Sequence, residues 1–319
     1  MTASSRLVTV FGGSGFIGAQ AVRELARLGW RIRVAVRKPN NAHDLRPLGD
    51  VGQIQLVRCD VTRPAEVASA LRGADAAVNL VGTFNTRRFR ALHVDAVRHI
   101  AEACAAVGIT RLVQVSANGA DARSPAAYGR TKAEGESIVR EHVPTAVILR
   151  PSVVFGPGDG FLNRFAAMGA AAPALPLIGG GETKFQPVHV GDVAAAIAKA
   201  VDRPEYAGRD FVLGGPEVWS FRQILEMIGR ETHRERILLP LPFAVARPLG
   251  AVLQLSELVG LPAPLTRDQV LMLERDNVVP DGAEGLAALG IAPIGMEAVA
   301  PSYLWLYRRG GQFAQTAPA

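Results

Sequence analysis

The stretch Val10-Phe11-Gly12-Gly13-Ser14-Gly15-Phe16-Ile17-Gly18 decides the fold of this chain. It joins an apolar run over 7–11, which predicts a strand, to an amphipathic pattern over 16–28, which predicts a helix. Glycines at this spacing allow a tight turn and a close approach to a pyrophosphate, whose charge is held by free N–H groups at the helix N-terminus. We therefore predict a dinucleotide-binding turn, whose contacts are Gly12, Gly15, Phe16, Ile17 and Gly18.

The sequence around these glycines decides between a dinucleotide site and a simple turn. The spacing is G-x-x-G-x-x-G, not the G-x-G-x-x-G of ordinary dehydrogenases, and a tight turn without a ligand is the alternative interpretation. A second apolar run, Arg31–Val36, completes a βαβ unit around the glycines. That unit favours the dinucleotide site.

Strand and helix patterns continue to alternate along the chain. The later apolar runs are Ile54–Val57, Ala76–Val81, Leu112–Val115 and Ala146–Leu149, with helical patterns near 65–71, 90–106 and 127–142. Such alternation predicts an α/β fold of the Rossmann type, a doubly wound parallel sheet with a small, mainly helical C-terminal lobe.

The domain organisation follows from where this pattern weakens. We assign residues 1–150, with a returning segment near 186–215, to the nucleotide domain, and the rest of 151–319 to the C-terminal lobe. Two capping boxes, Ser220–Gln223 and Thr266–Gln269, predict the starts of two late helices.

Composition limits the classes of function. The 319 residues are 49% hydrophobic and carry a net charge of +6, with a sequence pI near 9.8. The arginines are scattered, so an anionic partner such as nucleotide phosphate is favoured over nucleic acid. Cys59, in a predicted strand, and Cys104, in a predicted helix, have neither zinc nor disulfide spacing, which indicates a reducing compartment. No metal is expected, because surface or packing roles explain the histidines better: His43, His93, His99, His142, His189 and His233.

Targeting and membrane-spanning segments are not expected. The first strand begins by about residue 6, which leaves no room for a signal or transit peptide unless one has been removed. The most apolar run, over 237–246, contains two prolines and is followed by Arg247. It is shorter than the roughly 20 residues that a spanning helix needs.

Residues after the second, third and fourth strands are expected to select the cofactor. Arg37, followed by Lys38, stands where an NAD site carries an acid for the ribose 2′-hydroxyl, and a base there suits the 2′-phosphate of NADP. We therefore favour NADPH over NADH. The remaining predicted contacts are Asp60 and Val61 at the adenine edge, and Leu80, Val81 and Gly82 beside the ribose.

Tyr128 and Lys132 lie four residues apart on one face of a predicted helix. Lys132 would bind the nicotinamide ribose and stabilise a phenolate, so Tyr128 could act as an acid or base. The pattern is common, and a partly exposed helical pair is the alternative. Its position after the strand that ends at Ser116 favours the functional interpretation, with Ser116 as a third member of the site.

These motifs together resemble the extended and atypical short-chain dehydrogenases. The resemblance covers most of the chain and rests on the glycine turn, Asp60, Asn79–Gly82, Tyr128 with Lys132, Arg150–Pro157 and Pro187–Val193. Within that superfamily the chain is most similar to the complex I alpha-subcomplex subunit 9 type. The segments specific to that type are Leu45–Asp50, Phe161–Met168, Leu239–Pro242 and Leu265–Asp268.

The resemblance implies further contacts with the cofactor, and this chain departs from the superfamily at one position. It places Pro151, Val153 and Val154 beside the cofactor. Active members of the superfamily carry Ser or Thr directly after the position of Ser116, whereas this chain has Ala117. The substrate oxygen therefore lacks its usual hydroxyl donor. Ser116 or Asn118 could substitute for it, but the departure favours a cofactor-binding protein with weak or absent turnover.

Two functions remain open at this point. The first is an NADPH-binding accessory or assembly subunit of complex I, bound to its peripheral arm at the cytoplasmic face of the bacterial inner membrane or on the mitochondrial matrix side. The second is a free NAD(P)-dependent oxidoreductase, epimerase or dehydratase that uses Tyr128 and Lys132. Ala117 favours the first, and the retained Tyr128 and Lys132 keep the second open.

The C-terminal lobe contains a candidate docking segment, 236–275. Leucine, valine and phenylalanine crowd this segment, with Arg236, Arg247 and Arg267 among them. It is too broken to span a bilayer and too apolar to be left wholly exposed. We expect it to contact complex I or a membrane surface, and the core of the lobe is the alternative.

Overall fold

The computed structural model describes residues 6–313 apart from 260 and 262. Within these residues the strands, in chain order, are β1 (Leu7–Phe11), β2 (Arg31–Val36), β3 (Ile54–Arg58), β4 (Ala76–Asn79), β5 (Arg111–Val115), β6 (Val147–Pro151), β7 (Val154–Phe155), β8 (Ala174–Ile178), β9 (Lys184–Phe185), β10 (Val188–His189), β11 (Asp210–Leu213), β12 (Trp219–Ser220) and β13 (Ile237–Leu241).

The α-helices vary widely in length. They are α1 (Phe16–Arg27), α2 (Pro64–Leu71), α3 (Ala96–Ala106), α4 (Ala127–His142), α5 (Leu162–Ala171), α6 (Val190–Asp202), α7 (Phe221–Thr232), α8 (Phe243–Leu253), α9 (Arg267–Leu273), α10 (Met296–Val299) and α11 (Pro301–Leu304). A π-helical turn, Ala91–Asp95, leads directly into α3.

Seven strands form the central sheet, in the order β11-β6-β5-β4-β1-β2-β3. All the pairings in it are parallel. The order reverses direction at β1, and such a switch point is where ligands bind at the carboxyl ends of the strands. The Rossmann-type fold predicted from the sequence is therefore confirmed.

Helices cover the sheet because its strands are apolar on both faces. Helices α1 and α6 pack together, and α2, α3 and α4 form a second group. The second group encloses a buried cluster that includes Phe11, Leu71, Ile100, Leu112 and Val139. This core fixes the positions of the strand ends that carry the predicted site.

The described chain divides into two compact units. The first comprises the residues up to Pro151, with Val190–Leu213 and Pro280–Ala292, and the second comprises Ser152–His189, Gly214–Val279 and the residues from Pro293 onwards. In the first unit, Lys199 Nζ donates to the carbonyl oxygens of Leu289 and Gly290, at 2.8 and 2.9 Å.

The second unit has a separate core of aromatic and aliphatic side chains, including Phe155, Leu177, Phe185, Phe221 and Leu304. Its strands form three two-stranded sheets, β7 with β10, β8 with β13, and β9 with β12. Both predicted capping boxes are present, one at the start of α7 and the other at the start of α9.

Two details differ from the sequence expectations. Cys59 was expected in a strand, but β3 ends at Arg58, and Cys59 is buried just beyond it. The pattern over 90–106 predicts one helix, whereas its first turn is π-helical. A π-turn is a single wider turn with i→i+5 hydrogen bonds, and the helical spacing of the surrounding residues does not distinguish it from an α-helical turn.

Candidate nucleotide-binding site

The glycine turn brings the backbone of β1 close to that of β4. Gly12 has a φ of +78°, and a Cβ on it would lie 3.1 Å from the carbonyl carbon of Leu80. A Cβ on Gly18 would overlap the carbonyl oxygen of Gly12. Gly15 is the N-cap of α1, and no side chain caps the first turn. The N–H groups of Phe16 and Ile17 therefore have no side-chain acceptor, as an anion site requires.

A buried pair of amide side chains shapes the end of β4. Asn79 Nδ2 donates to Gln114 Oε1 at 2.9 Å, and both side chains are buried. The backbone N–H of Val81 donates to Asn79 Oδ1 at 3.0 Å. This turns the chain from Leu80 onwards and leaves Gly82 exposed. Sequence reasoning had identified Asn79 in its motif but not Gln114 as its partner.

The end of β2 carries two exposed cations, Arg37 and Lys38. Neither side chain forms a hydrogen bond or ion pair with the residues that the structure describes, and only the backbone of Lys38 is engaged, where its carbonyl oxygen accepts from the Asn41 N–H at 3.0 Å. An unpaired guanidinium at this strand end is available to an anionic group.

Asp60 and Val61 form an ordered corner after β3. Thr62 donates to Asp60 Oδ1 through its backbone N–H, at 3.0 Å, and through its hydroxyl, at 2.8 Å. These two bonds lower the pKa of Asp60 most, and the charges of Arg37 and Arg63 add to the effect. His99 Nδ1 lies 3.0 Å from the Val61 carbonyl oxygen and donates to it.

The ammonium group of Lys132, which extends from α4, and the hydroxyl of Ser116 both lie near the end of β5 with incomplete hydrogen bonding. Lys132 is buried, and its Nζ donates to the Val115 carbonyl oxygen over a long distance of 3.4 Å. The Ser116 hydroxyl is buried and has no hydrogen-bond partner in the described chain. Buried polar atoms normally have partners, so both atoms indicate a ligand that supplies them.

Burial controls the charge of Lys132. Desolvation lowers the pKa of its ammonium group to about 8, and the carboxylate of Glu136 opposes that shift. Glu136 lies one helical turn further along α4 and was not singled out from the sequence. A neighbouring carboxylate favours the charged form of the amine.

Tyr128 lies one turn before Lys132 in α4, and its ring is surrounded by aromatic side chains. Phe84 stacks on it with ring centroids 5.1 Å apart and an interplanar angle of 12°. Phe89 and His93 contact it edge-on at 5.8 and 5.3 Å. Lys132 Nζ is 5.9 Å from the centre of the same ring. The structure thus brings Tyr128 and Lys132 together in the first unit.

The remaining predicted contacts lie further along the chain. Pro151 ends β6 in the first unit, and its carbonyl oxygen accepts a hydrogen bond from the Asn118 N–H at 2.8 Å. Val153 and Val154 belong to the second unit, Val154 in β7. Their contact with a cofactor stays a prediction.

The residues of the first unit fit a dinucleotide. A Cβ on Gly12 or Gly18 would meet backbone atoms of the turn or of Leu80, and hydroxyl groups of a bound ribose would complete the hydrogen bonding of Ser116 and Lys132. A nicotinamide cofactor supplies a hydride donor or acceptor when it is bound. No group of three or more His, Cys, Asp and Glu side chains in the described residues could hold a metal ion. No helix found there is long and apolar enough to cross a membrane.

Comparison with known proteins places this site in a family. The chain belongs to the NAD dependent epimerase/dehydratase family, whose model matches residues 8–214. It is also 34% identical to NADH dehydrogenase (ubiquinone) 1 alpha subcomplex subunit 9, mitochondrial, of Arabidopsis thaliana, over 97% of this chain and 79% of that protein. The resemblance to the subunit 9 type predicted from the sequence is confirmed.

The chain is also similar to a curated enzyme and to a solved structure. The chain is 31% identical to the ceramide reductase of Caulobacter vibrioides, over 60% of this chain and 59% of that protein. It superimposes on the NADPH-dependent quinone oxidoreductase of Escherichia coli complexed with NADPH, with a TM-score of 0.74 and 19% identity, covering 93% of this chain and 99% of that one. That structural likeness shows the fold.

Proposed function

We propose that the chain is an NADP(H)-binding accessory or assembly subunit of respiratory complex I, with little or no turnover of its own. The observation that carries this proposal is the extent of the similarity to the Arabidopsis subunit. It spans 97% of the chain and therefore continues past residue 214, where the match to the nucleotide-binding family ends. Similarity in a region without cofactor motifs supports a shared partner as well as a shared cofactor.

The preference for NADPH is supported by charge at the end of β2. Arg37 and Lys38 are exposed there, and no carboxylate occupies the adjoining positions. A 2′-phosphate would accept a charge-assisted hydrogen bond from the guanidinium, whereas a 2′-hydroxyl would not.

Low turnover is supported by the end of β5. Ala117 offers no hydroxyl group where an active relative would carry one, and the neighbouring Ser116 hydroxyl is buried. One face of the Tyr128 ring is covered by Phe84. The cofactor would then stabilise the fold, because a ligand that binds only the native state adds RT ln(1 + [L]/Kd) to its stability.

Docking on complex I is supported by an exposed apolar segment in the second unit. The segment runs from Ile237 to Leu261, and its large exposed side chains are Ile237, Leu239, Val245, Leu249, Val252, Leu255, Leu258 and Leu261. Other apolar residues of the same region, Leu238, Leu241 and Phe243, pack against the core of the unit. Exposed aliphatic groups in this number are typical of a binding surface.

The proposed location follows from these partners. We place the protein on the peripheral arm of complex I, peripheral to the bacterial inner membrane on its cytoplasmic face, or on the matrix side in mitochondria. A membrane surface is a second candidate for contact with the exposed apolar segment.

Native gel electrophoresis of membranes from the source organism tests the proposal. The wild-type chain should migrate with complex I, and the double variant Leu249→Asp with Val252→Asp should be released from it while still binding NADPH. Val218→Asp is the matched control, because Val218 is an exposed valine of the same unit outside the segment. Retention of the double variant at the wild-type level would exclude this segment, and absence of the wild-type chain from complex I would exclude the proposed function.

A second candidate function is an NAD(P)-dependent reductase that uses Tyr128 and Lys132. The identity to ceramide reductase supports it. The assay is oxidation of NADPH by the purified chain in the presence of ketone substrates, with Tyr128→Phe as the control. Turnover that disappears in Tyr128→Phe would favour the enzyme over the accessory subunit.

A further inference from the structure

We propose that His93 is a positioning residue, which holds the chain after β4 against α4 and so fixes Tyr128 beside Lys132. His93 lies in the π-helical turn before α3 and is buried. Its ring contacts Thr83, which lies 10 residues earlier in the chain after β4, and Thr131, which lies 38 residues later in α4. The effect of His93 on NADPH binding rests on the proposed function, whereas its effect on the position of Tyr128 does not.

The two ring nitrogens of His93 have different partners. The backbone N–H of Thr83 donates to His93 Nε2 at 3.2 Å, so Nε2 carries no hydrogen. His93 Nδ1 lies 3.1 Å from the Thr131 hydroxyl oxygen. That hydroxyl donates its own hydrogen to the carbonyl oxygens of Ala127 and Tyr128, at 2.9 and 3.1 Å. The only remaining arrangement is a neutral ring whose Nδ1–H donates to Thr131.

The π-turn places the histidine where it can form this bridge. Residues 91–95 make one wide turn, and the carbonyl oxygen of His93 lies directly against Gly135 of α4. A Cβ on Gly135 would overlap that oxygen. The backbone of the turn and the side chain of His93 therefore both contact α4.

The bridge also determines the surroundings of Tyr128. The His93 ring contacts the Tyr128 ring edge-on and stacks on Phe89, with centroids 5.2 Å apart. Because Thr83 is held by His93, the next residue, Phe84, is placed over the face of the Tyr128 ring. Loss of the bridge would release both Phe84 and the N-terminal half of α4.

The ring stays neutral in this position. Burial lowers the pKa of His93 to about 3, and the charge of Lys132 adds to the effect. Gly82 leaves space between these groups, since a Cβ there would lie 3.5 Å from Lys132 Nζ and 4.0 Å from His93 Nε2. His93 therefore does not compete with Lys132 for protons.

The first arm of the experiment is ¹⁵N NMR of the full-length chain labelled at histidine. We expect the signals of His93 to show a protonated Nδ1 and a bare Nε2 and not to titrate between about pH 5 and 8. These signals should vanish in His93→Leu and keep their position in His142→Leu, because His142 lies at the far end of α4. A His93 signal that titrates in that range, or shows a protonated Nε2, would overturn the bridge whether or not NADPH binds.

The second arm compares Thr131→Val, which removes the acceptor of the bridge, with Thr131→Ser, which keeps it. The near-ultraviolet circular dichroism of Tyr128 is obtained by subtracting the spectrum of the Tyr128→Phe counterpart. We expect it to change in His93→Leu and Thr131→Val and to be restored in Thr131→Ser. The Kd for NADPH should rise about tenfold in the first two variants, because Tyr128 and Lys132 would no longer be held in the binding geometry in the free chain.

The outcomes separate positioning from a merely structural role. If both variants melt at lower temperature but keep the Tyr128 spectrum and the wild-type Kd, His93 is structural only and the proposal is wrong. If the wild-type chain binds no NADPH, the proposed function fails, and the NMR and Tyr128 spectra still decide the proposal on His93.

Discussion

Glu136 accepts two hydrogen bonds from Arg150, at 2.9 Å from Nε and 2.6 Å from Nη2, one turn of α4 beyond Lys132. Arg150 also pairs with Asp210, at 2.9 Å. The Glu136 carboxylate, whose charge favours the ammonium form of Lys132, is therefore already engaged by a guanidinium. Lys132 remains a buried cation with little compensation, which is unfavourable for the fold and suitable for binding a ligand.

Replacing Lys132 by Met should stabilise the chain without nucleotide and abolish its response to NADPH. In the folded chain the pKa of Lys132 is about 8, below its ordinary value of 10.5. The folded chain then binds fewer protons between these values, so this group adds stability as the pH rises from about 8 to about 10.5. Below pH 8 the buried charge costs about 3 kcal/mol at most, and Lys132→Met should recover about 1 to 3 kcal/mol.

Urea unfolding at pH 7, with and without NADPH, measures this effect. Lys184→Met is the control, because Lys184 is an exposed lysine whose loss should leave stability unchanged. A less stable Lys132→Met protein would show that the ammonium group is well compensated in the fold.

The affinity for NADPH should fall as the pH rises above about 8. The ammonium form of Lys132 is the form that donates hydrogen bonds, and it is lost above its pKa. Bound ligand favours the charged form, so the decline should begin at or above pH 8. Isothermal titration across this range in the wild-type chain is the measurement, and a constant Kd through pH 9.5 would contradict the assigned role.

Arg37→Ala should remove the preference for NADPH over NADH. A hydrogen bond to a charged group contributes about 1.5 to 3 kcal/mol, so the Kd for NADPH should rise about ten- to a hundredfold while that for NADH hardly changes. Arg31→Ala is the matched control, because Arg31 is exposed at the opposite end of the same strand. Calorimetry that finds equal affinities for both nucleotides in the wild-type chain would exclude the proposed preference.

Gly15→Val should weaken nucleotide binding while the chain still folds. A Cβ on Gly15 meets only the Gly12 carbonyl oxygen, at 3.3 Å, whereas a Cβ on Gly18 overlaps that oxygen and the backbone of Gly13. We therefore expect Gly15→Val to lose the rise in melting temperature that NADPH gives, and Gly18→Val to fail to fold.

Tyr128→Phe should leave the melting temperature and respiratory activity nearly unchanged. A large respiratory defect in Tyr128→Phe with nucleotide still bound would favour a catalytic role.

Tyr303→Phe should destabilise the second unit. The Tyr303 hydroxyl donates to the buried carboxylate of Asp159 at 2.8 Å, and Asp159 also accepts from the backbone N–H groups of Gly156 and Phe161. Removing one donor from a buried carboxylate costs about 1 to 3 kcal/mol. Tyr307→Phe is the comparison, because its hydroxyl donates to the neutral amide of Asn163 at 3.0 Å, and its loss should be smaller. Equal melting temperatures of the two variants would contradict this ranking.

Most of the first unit could be predicted from the sequence, because its strands and helices follow strong periodic patterns. The bounds of β1 and β2 match the apolar runs, and α4 covers the predicted 127–142. The bridge of His93 could not be predicted in this way. It depends on a π-turn and on contacts with Thr83 and Thr131, which no local pattern encodes.

The segment 236–275 shows a second limit. Apart from Arg247, the residues of its first half, over 237–253, are apolar, so periodicity cannot separate the side chains that face the core from those that face solvent. In the structure, Leu241 and Phe243 contact the core, while Leu249 and Val252 are exposed. Arg247, a residue suggested by the sequence for docking, is held by Glu274 through two hydrogen bonds of 2.6 Å.

The most direct measurement is the nucleotide content of complex I isolated from the source organism. The account predicts that this chain is present in the isolated complex together with about one molecule of NADPH per chain, and that the nucleotide is absent when the complex carries the Gly15→Val chain. Isolated complex I that lacks the chain, or that contains it without NADPH, would contradict the account.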